Sequence, residues 1–121
     1  MLIDASVWVD HLRRGNATLV ARLENGQAWT HPFVVGELAC LNIVRRAEFL
    51  EALAALPQLP LAPDADVLAM VAERRFMRRG LSWIDVHLLA AAMLAQIPLL
   101  THRLPLAVAA GESGLGWPAA Y

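Results

Sequence analysis

The chain reads as an α/β domain built on a mostly parallel sheet. Short apolar stretches, residues 1–3 and 97–100, lie far apart and are separated by longer segments with helical apolar spacing. Strands that alternate with helices imply a parallel sheet with right-handed crossovers. The composition also supports this reading. The chain has 121 residues and is 58% apolar, with the excess largely in alanine and leucine. That is enough for one well-filled core, and it favours helices.

The elements follow in order. Residues 1–4 form the first strand and 7–14 a short helix closed by Gly15 and Asn16. Residues 17–24 form a second helix, with Leu19, Val20 and Leu23 at apolar spacing and Asn25-Gly26 as its stop. Residues 27–31 are a second strand. Pro32 starts a helix that runs through FVVGELACLNIVRR, with Phe33, Leu38, Leu41 and Val44 sharing its buried side. A further helix, 47–56, stops at Pro57, and 58–61 are a proline-bracketed edge strand. Asp64 caps a helix over 65–79 that buries Val67, Met70, Val71 and Phe76 and ends at Gly80. Ser82 opens a helix over 83–95. Residues 97–101 are a fourth strand, 104–110 a short helix, and 114–117 a last edge strand.

Charge and cysteine usage narrow the function classes. The net charge is −1, so any nucleic-acid binding rests on local patches. Every basic residue is arginine, the better bidentate phosphate ligand. Cys40 is the only cysteine, which leaves no internal disulfide and fits a reducing compartment. Neither a secretory leader nor a membrane span is apparent, and the expected location is the cytoplasm.

Three acids stand in apolar surroundings, where charges seldom go unpaired: Asp4, Glu37 in VVGELACL and Asp85 in SWIDVHLL. Asp4 sits at the carboxyl end of the first strand, where open α/β sheets place their ligand crevice. Three converging carboxylates repel unless a divalent cation joins them, and Mg²⁺ or Mn²⁺ prefers such oxygen ligands. Each acid also has a purely structural role open to it. Asp4 caps the helix that follows it, Glu37 sits on an exposed helix face, and S-W-I-D makes Asp85 half of a capping box.

The stretches LIDASVWVDHLRRG, HPFVVGEL and GLSWIDVHLLAAA resemble the PIN domain, and within it the VapC-like ribonuclease toxins of toxin–antitoxin pairs. The resemblance covers nearly the whole chain, in order and spacing. It implies a three-layer α/β/α sandwich with a mostly parallel sheet of four to five strands in the order 3-2-1-4-5. It implies a metal-dependent endoribonuclease in which Asp4, Glu37 and Asp85 are the catalytic, metal-binding acids. Ser6 and Thr101 are then supporting residues, with Ser6 matching the small hydroxyl beside the first acid. It further implies Mg²⁺ or Mn²⁺ as cofactor, RNA as substrate, a homodimer and a VapB-like antitoxin that blocks the groove.

One motif departs from the family. Where such proteins read Thr-x-Asp, this chain reads Thr101-His102-Arg103, a cation in place of the fourth acid. Arg103 either weakens the metal site or clamps the scissile phosphate, and the alternative to an active nuclease is a degenerate PIN domain that binds antitoxin or RNA without cutting. Arg13 and Arg14 are further candidate substrate contacts. The pairs Arg74-Arg75 and Arg78-Arg79 place like charges at helical neighbours, to be relieved by RNA phosphates or by the helix end. Trp8, Trp29, Trp83 and Trp117 are read as core or dimer packing, and Cys40 as a buried thiol. A receiver-like phosphoacceptor would use a lysine, and the chain has none.

Overall fold

The computed structural model describes residues 1–116. It is rich in helix. Among the described residues the order is β1 (Leu2–Ile3), α1 (Ala5–Arg14), α2 (Ala17–Glu24), α3 (Pro32–Ala39), α4 (Arg46–Ala54), α5 (Asp64–Glu73), α6 (Trp83–Ala95), β2 (Leu99–Leu100) and α7 (Leu104–Glu112). β1 and β2 form a parallel ladder in the register Leu2 to Leu99 and Ile3 to Leu100. All four side chains are buried, as in a central strand covered on both faces.

The expected strands shrink for identifiable reasons. β1 stops at Ile3: the Asp4 amide still donates to Leu100 O at 3.0 Å, but its side chain turns to cap α1, accepting from the Ala5 amide at 2.8 Å. Residues 27–31 contribute only single parallel bridges, Leu2 to Trp29 and Thr30 to Gln58, because His31 turns away to cap α3. Prolines 57, 60 and 98 carry no N–H for a longer ladder. Leu115 accepts from the Leu99 amide at 2.9 Å, while Trp117 lies outside the described residues.

Two helices end earlier than their apolar spacing implies. α3 stops at Ala39, where the Arg46 guanidinium bonds the Ala39 carbonyl at 2.9 and 3.2 Å. Leu41 and Val44 are therefore 42% and 89% exposed rather than inward-facing. Cys40 is exposed, not buried. α5 stops at Glu73 because the chain turns left-handed at Arg75 (φ 54°), and the Phe76 amide bonds back to Val71 O at 3.1 Å. Arg74, Arg75, Arg78 and Arg79 therefore do not share a helix. Arg79 pairs with Glu112 at 2.7 Å and Arg74 bonds Ser113 at 3.2 Å, both at the end of α7. Asp64 is the first residue of α5 and not its cap; its Oδ1 meets the buried His87 at 3.1 Å.

One continuous apolar cluster runs from Met1 to Ala110 and takes in both strands and most of α6. Burial on this scale is the dominant favourable term in folding. Among the described residues no helix is long and apolar enough to cross a membrane.

Candidate active site

The site follows from the strand register. With Ile3 opposite Leu100, the next residues along the two strands, Asp4 and Thr101, come side by side. Asp4 is 2% exposed. Its Oδ1 accepts from the Ala5 amide, and its Oδ2 accepts from Ser6 Oγ and from Thr101 Oγ1, both at 2.7 Å. Each hydroxyl has one proton and gives it to Asp4. Their own oxygens in turn accept from the backbone, Ser6 from the His102 amide and Thr101 from the Arg103 amide, both at 3.0 Å. Ser6 and Thr101 therefore hold the Asp4 carboxylate in one orientation.

Glu37 reaches the same place from α3. Asp4, Ser6, Glu37, Leu41 and Arg103 line one cavity of about 330 Å³. Burial raises the Glu37 carboxyl above its usual range; the charges of Asp4 and Asp85 push the same way and Arg103 opposes them. These interactions place Asp4, Asp85 and Arg103 within electrostatic reach of Glu37.

Asp85 is 1% exposed and occupies the third position of α6. The capping box is present: Ser82 Oγ accepts from the Asp85 amide at 3.1 Å, and Asp85 Oδ2 accepts from the Ser82 amide at 2.9 Å. Capping uses only one carboxylate oxygen. Oδ1 accepts from an Arg103 Nη1 at 2.6 Å, and this ion pair joins Asp85 to the cavity. The cap and the Arg103 contact thus use different oxygens of one side chain.

The other predicted contacts fall beside the cavity. Arg14 is bonded to Asp10 one turn earlier. Arg13 lines an adjoining apolar cavity of about 340 Å³ with Val9, Leu12, Leu41 and Val44. The cavities share Val9 and Leu41.

A polar junction absent from the sequence reading borders the site. Asn16 donates to Asp10 Oδ2 at 2.9 Å, and His102 Nε2 lies 3.3 Å from the same oxygen. The hydrogen bonds from Asn16 and then Arg14 hold the Asp10 carboxyl below its usual range. The junction ties the end of α1 to the turn after β2. Asn16 as the cap of α2 was the signal available for it.

Among the described residues, no three His, Cys, Asp or Glu side chains are grouped to hold a metal ion as they stand. The chemistry of the donors nonetheless fits a hard divalent ion: three carboxylates from three elements, one fixed by two hydroxyls and one raised first by burial and then by its like-charged neighbours. Asp85 Oδ1 is bonded to the Arg103 guanidinium.

A carboxylate-lined crevice at the carboxyl ends of neighbouring parallel strands defines an α/β domain with its ligand site at the centre of the sheet. The PIN domain family model matches residues 1–103, a span that contains Asp4, Glu37 and Asp85, and the chain belongs to the PIN domain family. It is 40% identical over 116 residues to Ribonuclease VapC32 of Mycobacterium tuberculosis strain CDC 1551 / Oshkosh, covering 95% of this chain and 94% of that protein. The same figures hold for Ribonuclease VapC32 of strain ATCC 25618 / H37Rv.

Proposed function

We propose that this chain is a VapC-like ribonuclease toxin that hydrolyses RNA phosphodiester bonds with a divalent ion held by Asp4, Glu37 and Asp85. The observation that carries the site assignment is the meeting of Asp4, Glu37 and Arg103 on one cavity, with Asp85 joined to it through Arg103. Mg²⁺ or Mn²⁺ is the ion whose preferences match these oxygens. When bound, it supplies an activated water and stabilises charge on the phosphate. The chain orients the first carboxylate through Ser6 and Thr101, and it keeps Asp85 in place through the Ser82 amide. Arg103 is the cation nearest the acids and is read as a phosphate contact, with Arg13 at the rim.

The remaining parts of the reading rest on family membership and on surface chemistry. The bridges and hydrogen bonds that run from Gln58 through Trp29, Leu2 and Leu99 to Leu115 support a sheet order of 3-2-1-4-5. The apolar cavity beside the acids, with exposed Leu12, Leu41 and Val44, supports a VapB-like antitoxin that lies across it. A homodimer and a cytoplasmic location complete the reading.

Asp4→Asn tests it. Asparagine keeps an oxygen for the Ala5 amide and removes a charge from the site, but its amide nitrogen cannot accept from Ser6 and Thr101. RNA cleavage in Mn²⁺ is expected to be lost while the metal-free protein stays folded, with some loss of thermal midpoint. If folded Asp4→Asn cleaves RNA as wild type does, the site assignment fails.

A further inference from the structure

The Arg103–Asp85 pair is the feature the site chemistry leaves unexplained. Asp85 is 1% exposed, whereas the Arg103 side chain is 42% exposed on the cavity wall. A buried carboxylate without a partner is costly, and Arg103 supplies the partner for the one Asp85 oxygen that the capping box leaves over. That same oxygen is the one Asp85 has to offer a metal ion. A divalent ion at that oxygen would be repelled by the guanidinium already bonded to it, so the two cations compete for Asp85.

We propose that Arg103 is a built-in counter-ion that occupies Asp85 in the metal-free protein and is displaced from it when the divalent ion binds. This rests on the reading of Asp4, Glu37 and Asp85 as the metal-binding acids. Two consequences follow. The free energy of the Arg103–Asp85 bond is subtracted from metal affinity, so the site takes up its ion only above a threshold set by this pair. The released guanidinium, whose N–H groups form a fork that matches phosphate oxygens, becomes available on the cavity wall only once the ion is present. The backbone supports such an exchange. Arg103 is anchored through its own amide to Thr101 Oγ1, so the side chain can change partner while the backbone stays fixed.

The test compares wild type, Arg103→Gln and Arg103→Lys by calorimetric titration with Mn²⁺, together with thermal unfolding of the metal-free proteins. Arg103→Gln is expected to bind Mn²⁺ about tenfold more tightly, a change of about 1.4 kcal/mol, and to unfold at a lower temperature without metal. Arg103→Lys retains a cation for Asp85 and should stay close to wild type in both. A merely structural Arg103 gives the opposite sign, since a loosened site binds metal more weakly; that result, or an unchanged affinity, overturns the proposal. A second readout separates displacement from charge at a distance. The Arg103 side-chain Nε–H resonance, assigned by its absence from Arg103→Lys, should shift with Mg²⁺ in step with binding. A resonance unmoved at saturation overturns displacement even if Arg103→Gln binds more tightly. The metal reading fails separately: saturable Mn²⁺ binding that Glu37→Gln leaves intact, or no saturable binding in any of the three proteins, removes the site and the competition with it.

Discussion

Asp85 gives its two oxygens to different partners. Oδ2 closes the capping box with the Ser82 amide and Oδ1 accepts from Arg103, so the cap and the proposed metal role separate by mutation. Ser82→Ala removes the hydroxyl that accepts from the Asp85 amide and is expected to cost about 1 kcal/mol of stability, with Mn²⁺ affinity unchanged in calorimetry. Asp85→Asn is expected to lower Mn²⁺ affinity. If both variants merely destabilise, Asp85 is a cap and nothing more. The residues of this scale were largely legible: an acid after an apolar strand, and Ser-x-x-Asp before a helix, announce themselves by spacing. The partner of Arg103 was not. The sequence shows a cation where the family resemblance leads one to expect an acid, but that it meets Asp85 depends on how α6 and the start of α7 pack.

Helix ends explain most of what was legible among the elements and most of what was not. Four helices close in the same way, with a left-handed residue followed by a residue whose amide bonds back five positions. The left-handed residues are Gly26, Arg75, Gln96 and Gly114 (φ 66°, 54°, 55° and 76°), and the amides are those of Gln27, Phe76, Ile97 and Leu115. Glycine is the usual residue for this position, and Gly26 marks the end of α2 correctly. At Arg75 no glycine warns of the turn, and apolar spacing carried the expected helix on to residue 79. The turn is dictated from outside the segment: Phe76 must reach the core, where it is 5% exposed, and the Arg79 guanidinium lies 5.4 Å from its ring. The left-handed conformation costs a residue with a Cβ about 1–2 kcal/mol. Glycine gives back part of that through its freer unfolded chain. Arg75→Gly is therefore expected to raise stability by roughly 0.5–1 kcal/mol in urea unfolding. A loss of stability would show that the Arg75 side chain, and not its backbone, matters at this turn.

For the molecule as a whole, the single apolar cluster implies that the described residues unfold together, so a buried group whose pKa differs between the folded and unfolded chain makes the stability of the whole fold depend on pH. His31 is such a group. It is fully buried, its Nδ1 accepts from the Phe33 amide at 3.0 Å as the cap of α3, and its Nε2 has no hydrogen-bond partner among the described residues. Burial first, and the neighbouring His87 second, push its pKa down from 6.5 to about 4. The unfolded chain therefore binds a proton more readily than the folded one between these values. Stability is complete above pH 6.5 and declines as pH falls toward 4. At about 1.36 kcal/mol per pKa unit, the full loss is of order 3 kcal/mol. Other groups titrate nearby with opposite signs. Asp10, held low, adds to acid sensitivity below its own range, while Glu37, held high, favours the fold as it protonates. The measurement is accordingly a difference. His31→Asn retains a side-chain oxygen to cap α3 and cannot titrate; its smaller volume lowers stability by the same amount at every pH. Urea unfolding of wild type and His31→Asn across pH 4–7 should give curves that converge toward acid, by up to about 3 kcal/mol. Parallel curves would mean that His31 takes up its proton without opening the fold, and that the face between α3 and α6 admits water.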